Sequence, residues 1–256
     1  MMSNTRAATF RERLRRGDRL LGTFVKTPHP VVVEVLTQAP LDCLCIDAEH
    51  APFDRGDLDV AILAARAADM PVVVRIPNAE ASAILNVLDL GATGVVIPHV
   101  ATVAAARAAV TACRYGRGGR GYAGSTRAAG YGTRSMADNL AKGNAEVSLI
   151  AQIEDAEALG QIEDIAAVEG IDALFIGRMD LTVSLGAQSP NDAVVVDAVH
   201  RICTAAQRHK RAVGMFTPTV DETRQWMSVG ASFFLLQSDQ QWLLHGAQAM
   251  RRAFDL

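Results

Sequence analysis

Four apolar runs of strand length end in groups that can do chemistry. LDCLCID leads into Ala48-Glu49-His50, PVVVR stops at Arg75, SLIAQI runs into Glu154-Asp155, and ALFIGRM stops at Asp180. His50 has Asp47 and Glu49 just before it and Pro52 behind it, surroundings that suit an imidazole moving protons near neutral pH. An arginine at a pocket mouth can fork onto a carboxylate or polarise a carbonyl. Arg75 could equally serve as a structural ion pair with Asp47 or Glu49. Glu154 and Asp180 fit either a glycosidase carboxylate pair or a hard-metal site, where Mg2+ takes one or two protein carboxylates and leaves the rest to water and substrate. No His-rich ligand set accompanies them, which argues against a zinc hydrolase. Gly177 offers a turn whose N–H groups could face an anion.

Such groups need a frame that gathers them. Short runs apolar on both faces read as strands of a covered parallel sheet: Leu20–Lys26, Asp42–Asp47, Val72–Ile76, Gly94–His99, Ser148–Glu154, Ala173–Gly177, Ala212–Phe216 and Ser232–Gln237. Segments of helical spacing alternate with them: Pro30–Gln38, Arg55–Ala68, Ala81–Leu90, Ala101–Cys113, Ala156–Val168, Asp192–His209, Asp221–Val229 and Gln240–Phe254. Asp221 reads as the N-cap of the seventh of these. Gly91, Gly170 and Gly230 read as C-cap glycines. Eight strands alternating with eight helices predict an α/β fold, a single (β/α)8 barrel over residues 1–256, with the strand-end charges on one rim. An open doubly wound sheet is the other arrangement.

The 256 residues match the size of one such barrel, and half of them are apolar. A net charge of −3 without a massed basic segment argues against nucleic acid as a partner. No apolar run is long enough to span a membrane. The basic N-terminus, MMSNTRAATFRERLRRGDRL, reads as a capped amphipathic helix rather than a signal peptide. Cys43, Cys45, Cys113 and Cys203 form no CxxC pair and read as reduced core thiols of a cytoplasmic protein. Residues 115–134, YGRGGRGYAGSTRAAGYGTR, break the rhythm with dense glycines and Arg117, Arg120, Arg127 and Arg134. This insert after the fourth barrel helix is either a surface or subunit-contact loop or a lid bringing an arginine to an anionic substrate.

The chain resembles the HpcH/HpaI aldolases, metal-dependent (class II) pyruvate aldolases with a TIM barrel of the phosphoenolpyruvate/pyruvate type. The likeness rests on IDAEHAP at 46–52, VVRIP at 73–77, NVLDLGATGVVIPHV at 86–100, AQIED at 151–155 and IGRMDLT at 176–182, in that order and spacing. It implies a lyase that reversibly cleaves 4-hydroxy-2-oxo acids to pyruvate and an aldehyde through a metal-stabilised enolate. By that resemblance Glu154 and Asp180 are ligands of a divalent ion, Mg2+, Mn2+ or Co2+. His50 is the catalytic histidine, with Asp89 as its paired carboxylate. Arg75 contacts the keto oxygen. Gln152 is a pocket glutamine, the backbone of Met179 and Asp180 holds the substrate carboxylate, and Phe24 lies at the pocket floor. It also implies a homotrimer or homohexamer that exchanges its last helix, consistent with Trp242, Leu243, Leu244, Met250 and Phe254 on Gln240–Phe254.

The chain departs from the family pattern at several points. Arg178-Met179 stands where Pro-Ala is frequent, Ala48 replaces a glycine, Phe24 a tryptophan of some members, and His99 a residue that is often apolar. Arg178 is expected either to contact an anion or to point to solvent. Three rival readings remain open: a CoA-thioester lyase like the citrate lyase β subunit or malyl-CoA lyase, a Schiff-base aldolase using Lys26, and a non-catalytic binding barrel.

Overall fold

The computed structural model describes residues 5–254. Eight parallel strands close into a barrel in sequence order: β1 (Leu20–Val25), β2 (Cys43–Asp47), β3 (Val72–Arg75), β4 (Gly94–Ile97), β5 (Ser148–Ile153), β6 (Ala173–Ile176), β7 (Ala212–Thr217) and β8 (Phe233–Ser238). Every strand anticipated from the sequence is present, its ends shifted by at most two residues. Around them run α1 (Arg6–Arg16), α2 (Pro30–Thr37), α3 (Arg55–Ala67), α4 (Ala81–Asp89), α5 (Val103–Cys113), α6 (Met136–Glu146), α7 (Ile162–Ala167), α8 (Arg178–Ser184), α9 (Ala193–Arg208), α10 (Val220–Met227) and α11 (Asp239–Phe254). No helix among the described residues is long and apolar enough to cross a membrane.

The two-faced apolarity of the strands has a simple cause. Alternate residues point to opposite sides of a strand. One set, including Phe24, Cys45, Val73, Val96, Ile150, Phe175 and Leu235, fills the barrel interior. The other set, including Val25, Leu44, Ile46, Val74, Val95, Leu149 and Val213, packs under the helices. All four cysteines are buried and free, and burial pushes the Cys113 thiol up to about 12.

Helix α1 closes the N-terminal end of the barrel. Thr5 caps it, accepting from the Ala8 N–H at 3.2 Å. Phe10 and Leu14 enter the interior cluster, and Phe10 meets Phe233 edge-on at 6.2 Å. Arg11 Nε donates to both oxygens of the buried Asp172, at 2.9 Å each. Of the N-terminal helix read from the sequence, residues 1–4 lie outside the described residues.

Several expectations need correction. The N-cap of α10 is Thr219, whose hydroxyl accepts from the Glu222 N–H, and Asp221 sits inside the first turn. The segment Ala156–Val168 is not one helix but a 3-10 turn, Ala156–Gln161, followed by α7. Residues 136–146 form a helix, α6, that was not anticipated from the sequence. Asp180 does not close β6: it lies in the first turn of α8, a helix not anticipated from the sequence. The insert 115–134 follows α5, which runs back to the N-terminal end. There Arg127 donates to the carbonyls of Asp59 and Leu90 at 3.2 Å each. Within one chain it is therefore not a lid over the C-terminal mouth.

Candidate active site at the C-terminal mouth

The same parity that fills the barrel carries charge to its mouth. Lys26, Asp47, Arg75, Gln152 and Glu154 follow inward-facing strand residues by two or four positions. Asp47, fully buried, is the hub. It accepts Arg75 Nε and Nη2 at 3.0 and 2.8 Å, and the N–H groups of Glu49 and His50 at 3.3 and 3.1 Å. Lys26 Nζ lies 3.1 Å from its Oδ2. Burial alone would raise the Asp47 carboxyl, but the Arg75 hydrogen bonds and charge, the His50 N–H and Lys26 hold it below the usual range. Arg75 thus makes the ion pairs that were its structural alternative, reaching Glu49 Oε2 at 3.3 Å as well. It also stays at the pocket, its guanidinium 4.7 Å from the Phe24 ring centroid.

A second group forms where β4 and β5 end. Glu154, 2 % exposed, accepts the backbone N–H of His99 on Oε1 at 2.9 Å and the Gln152 amide on Oε2. His99 has a left-handed backbone, φ +54°, uncommon for a residue with a side chain. Its ring Nδ1 lies 3.2 Å from Asp155 Oδ2 and 3.5 Å from Glu154 Oε1, and its Nε2 lies 4.0 Å from Glu49 Oε1. Burial would pull this imidazole down, but the carboxylates of Glu154, Asp155 and Glu49 prevail and raise it. Burial pushes the Glu49 carboxyl up against the pull of Arg75 and His50. Ligand atoms of Glu49, His99 and Glu154 all lie within 4.8 Å of one another, a donor set able to hold a metal ion. Two buried acceptors at this place, Glu49 Oε2 and Gln152 Oε1, have no hydrogen-bond partner, the condition in which a further group is expected.

A cavity of about 830 Å3 opens at the same mouth, lined by Phe24, Lys26, His50, Arg75, Phe175, Gly177, Met179 and Asp180 among others. His50 is exposed, its Nε2 3.7 Å from Glu49 Oε2. Met179 and Asp180 are exposed in the first turn of α8. Gly177 makes the junction with the floor, since a Cβ there would lie 2.6 Å from Glu154 Oε2. Its φ is −81°, so close approach and not turn conformation requires the glycine.

One expected residue is elsewhere. Asp89 ends α4 at the other end of the barrel, where its carboxylate pairs with Arg120; nearby, the Thr93 N–H bonds the carbonyl of Val72 at the start of β3. Within one chain Asp89 cannot orient His50. Arg178 lines the wall of the cavity but is largely buried and engaged within the chain. It is 7 % exposed, pairs with Glu222, donates to the Pro190 carbonyl at 3.1 Å and lies over Trp226 at 4.9 Å. Sequence reading gave Asp47 and Glu49 no role of their own at the site. Counting in twos from Cys43 through Cys45 to Asp47 was the signal that could have found the hub.

Charged side chains gathered at the strand ends of a closed barrel lie where barrel enzymes place their chemistry, and the family match makes this an enzyme of the lyase type. The chain belongs to the HpcH/HpaI aldolase/citrate lyase family, whose profile matches residues 20–246. It is 37 % identical over 246 residues to the hydroxypyruvate/pyruvate aldolase of Paraburkholderia phytofirmans, covering 93 % of this chain and 94 % of that one. It is 33 % identical to the 5-keto-4-deoxy-D-glucarate aldolase of Klebsiella pneumoniae, covering 91 % of each. The crystal structure of an HpcH/HpaI aldolase/citrate lyase family protein from Burkholderia cenocepacia superposes with a TM-score of 0.92 at 33 % identity, covering 97 % of this chain and 100 % of that one.

Proposed function

We propose that this protein is a divalent-metal-dependent pyruvate aldolase that reversibly cleaves 4-hydroxy-2-oxo acids to pyruvate and an aldehyde. The observation that carries the reading is one cavity lined by His50, Arg75 and Asp180, with the buried Glu154 directly beneath Gly177. Glu154 and Asp180 would hold the ion, which when bound supplies Lewis-acid polarisation of the 2-oxo group. The buried Gln152 Oε1 without a hydrogen bond and the clustered carboxylates fit a cation.

The chain's own residues do the rest. Arg75, fixed by its fork on Asp47, presents positive charge where the C2 oxygen becomes an enolate oxygen. The Phe24 face beneath its guanidinium helps hold that orientation. In cleavage His50 takes the proton of the C4 hydroxyl, directly or through a water. The C3–C4 bond breaks, its electron pair passes into the pyruvate enolate, and C4 leaves as the aldehyde carbonyl. The enolate is then protonated at C3. Met179 and Asp180 offer the backbone turn for the substrate carboxylate, with Gln152 below. Asp89 can pair with His50 only across a contact between two copies.

Assembly belongs to the same reading. Apart from Asp239, no described residue of α11 is buried, and Leu243, Leu244, Met250 and Phe254 are more than half exposed. We infer a homotrimer or homohexamer in which this helix packs on a neighbour.

The test is pyruvate release from 4-hydroxy-4-methyl-2-oxoglutarate and a panel of 4-hydroxy-2-oxo acids, coupled to lactate dehydrogenase. It is run before and after EDTA, with Mg2+, Mn2+ or Co2+ restored. The relative's name adds hydroxypyruvate to the panel as an aldol donor in the reverse direction. Release that EDTA stops and metal restores is the expected result. Release indifferent to EDTA would transfer the chemistry to Lys26, and no release would point to CoA thioesters or to a binding role.

A further inference from the structure

We propose that His99 is a nitrogen ligand of the metal, completing with Glu49 and Glu154 a mixed nitrogen and oxygen site that favours a first-row transition ion over Mg2+. The inference rests on the metal-dependent reading above, keeps Glu154 and Asp180 as ligands, and adds to them His99, Glu49 and the identity of the ion.

The geometry is that of a metal-binding histidine held from behind. An ionised carboxylate only accepts hydrogen bonds, so the ring nitrogen facing Asp155, Nδ1, carries the hydrogen. That leaves the lone pair on Nε2, which faces Glu49 Oε1 at 4.0 Å, while Glu154 Oε1 lies 3.5 Å from Nδ1 of the same ring. The Nε2 separation is too long for a hydrogen bond. It lies within the reach of two donors sharing one ion, each about 2.1 Å from it. A histidine that gives one N–H to a carboxylate and its other nitrogen to a metal is the usual outer-shell arrangement.

Three further observations agree. Glu49, on a side chain 10 % exposed, has Oε2 buried without a hydrogen bond though 3.3 Å from Arg75 Nε, and turns Oε1 to His99. Glu154 is buried, with lone pairs left on both oxygens beyond the His99 N–H and Gln152 bonds. The left-handed backbone at His99 is held by that N–H bond to Glu154 and by the Ala101 N–H on the His99 carbonyl at 2.9 Å. Strained backbone of this kind persists where surrounding structure fixes it, and it gathers at working sites.

Imidazole suits Co2+, Ni2+ and Zn2+, whereas Mg2+ prefers an all-oxygen shell that keeps its waters. The wild-type protein should therefore bind Co2+ far more tightly than Mg2+ in calorimetric titrations of metal-stripped protein. His99→Asn is the variant of choice, because Asn tolerates the left-handed backbone. It should lose Co2+ affinity by about 100-fold or more, with Mg2+ binding nearly unchanged. Asp155→Asn should lose about 10–100-fold, the range for outer-shell partners. Echo-modulation spectra of the Mn2+-loaded protein give a readout independent of activity. Imidazole nitrogen modulation is expected in the wild type and should vanish in His99→Asn, with melting of the metal-free proteins compared to check folding. Equal Co2+ affinity and identical spectra in both proteins would overturn the His99 assignment and leave the metal-dependent aldolase standing. No divalent ion bound by the wild type, together with activity that survives EDTA, would overturn both.

Discussion

The two ends of the barrel bury carboxylates in opposite ways. At the N-terminal end, Asp172 takes Arg11 on both oxygens, the Leu149 N–H at 2.9 Å and Arg114 at 3.3 Å. A cavity of about 90 Å3 lies at that end. At the mouth, Asp47 is as fully engaged, but Glu49 Oε2 beside it has an ion pair with Arg75 at 3.3 Å and no hydrogen bond, the buried Gln152 Oε1 has no hydrogen-bond partner, and a cavity of about 830 Å3 opens at that end. Burying charge is costly, and partners that cancel the cost make a joint. Leaving part of the requirement unmet makes a place for something else to bind. The difference separates structure from function better than residue type does, since both ends use aspartate and arginine.

That contrast can be broken by experiment. The largest effect is expected at the closed end. Asp172→Ala strands Arg11 and Arg114 and should cost about 3–5 kcal/mol in urea unfolding, with kcat per folded molecule unchanged. A loss of kcat with stability intact would reverse the roles assigned to the two ends. Next comes Arg75→Ala, expected to lower kcat by about 10²–10³-fold, the effect of removing one aimed donor. The buried Asp47 would keep only Lys26 and two N–H donors, so melting should fall as well, and turnover is compared per folded molecule. Wild-type turnover in this variant would remove the mouth's claim to chemistry. Gly177→Ala drives a Cβ against Glu154. Overpacking of this sort costs about 1–3 kcal/mol, and by displacing Glu154 it should lower both metal affinity and kcat.

The smallest effect is in acid. The Asp47 carboxyl lies below its ordinary value in the folded chain. Its contribution to stability is therefore complete above the unfolded value, about 3.9, and is lost as pH falls through the lower folded one. Urea midpoints measured from pH 6 downward should drop more steeply below about pH 4 in the wild type than in Asp47→Asn. Parallel curves would mean that the hub is not held as an anion.

The strands were legible because closure buries both of their faces, so each appears as an unbroken apolar run such as VVV before Arg75. The helix α8 was not, because IGRMDLT continues an apolar strand with no cap residue; Gly177 makes no side-chain cap bond. The helix α6, MADNLAKGNAE, carries a glycine and leaves only Asn139 buried, so its pattern is faint. At the site, Arg75, Glu154 and Gln152 were readable from strand position and family likeness. Asp89 came from family likeness alone, which transfers residues without saying whether both belong to one chain; in this chain it pairs with Arg120 at the other end of the barrel. His99 looked like a departure, since a left-handed turn leaves no mark in the sequence at a histidine.

The stopper at the closed end has a consequence in time. Arg11 meets Asp172 across 161 positions, and Thr23 meets Leu236 across 213. Contacts so distant along the chain form late and slow folding. At synthesis rates of about 5–20 residues per second, the first strand waits roughly ten to forty seconds for the strand that closes on it. Throughout that interval Phe10, Leu14 and the inner face of β1 have no finished barrel to enter. The earliest part of the protein to be made is the last to be seated, and it stays sticky the longest while the chain emerges.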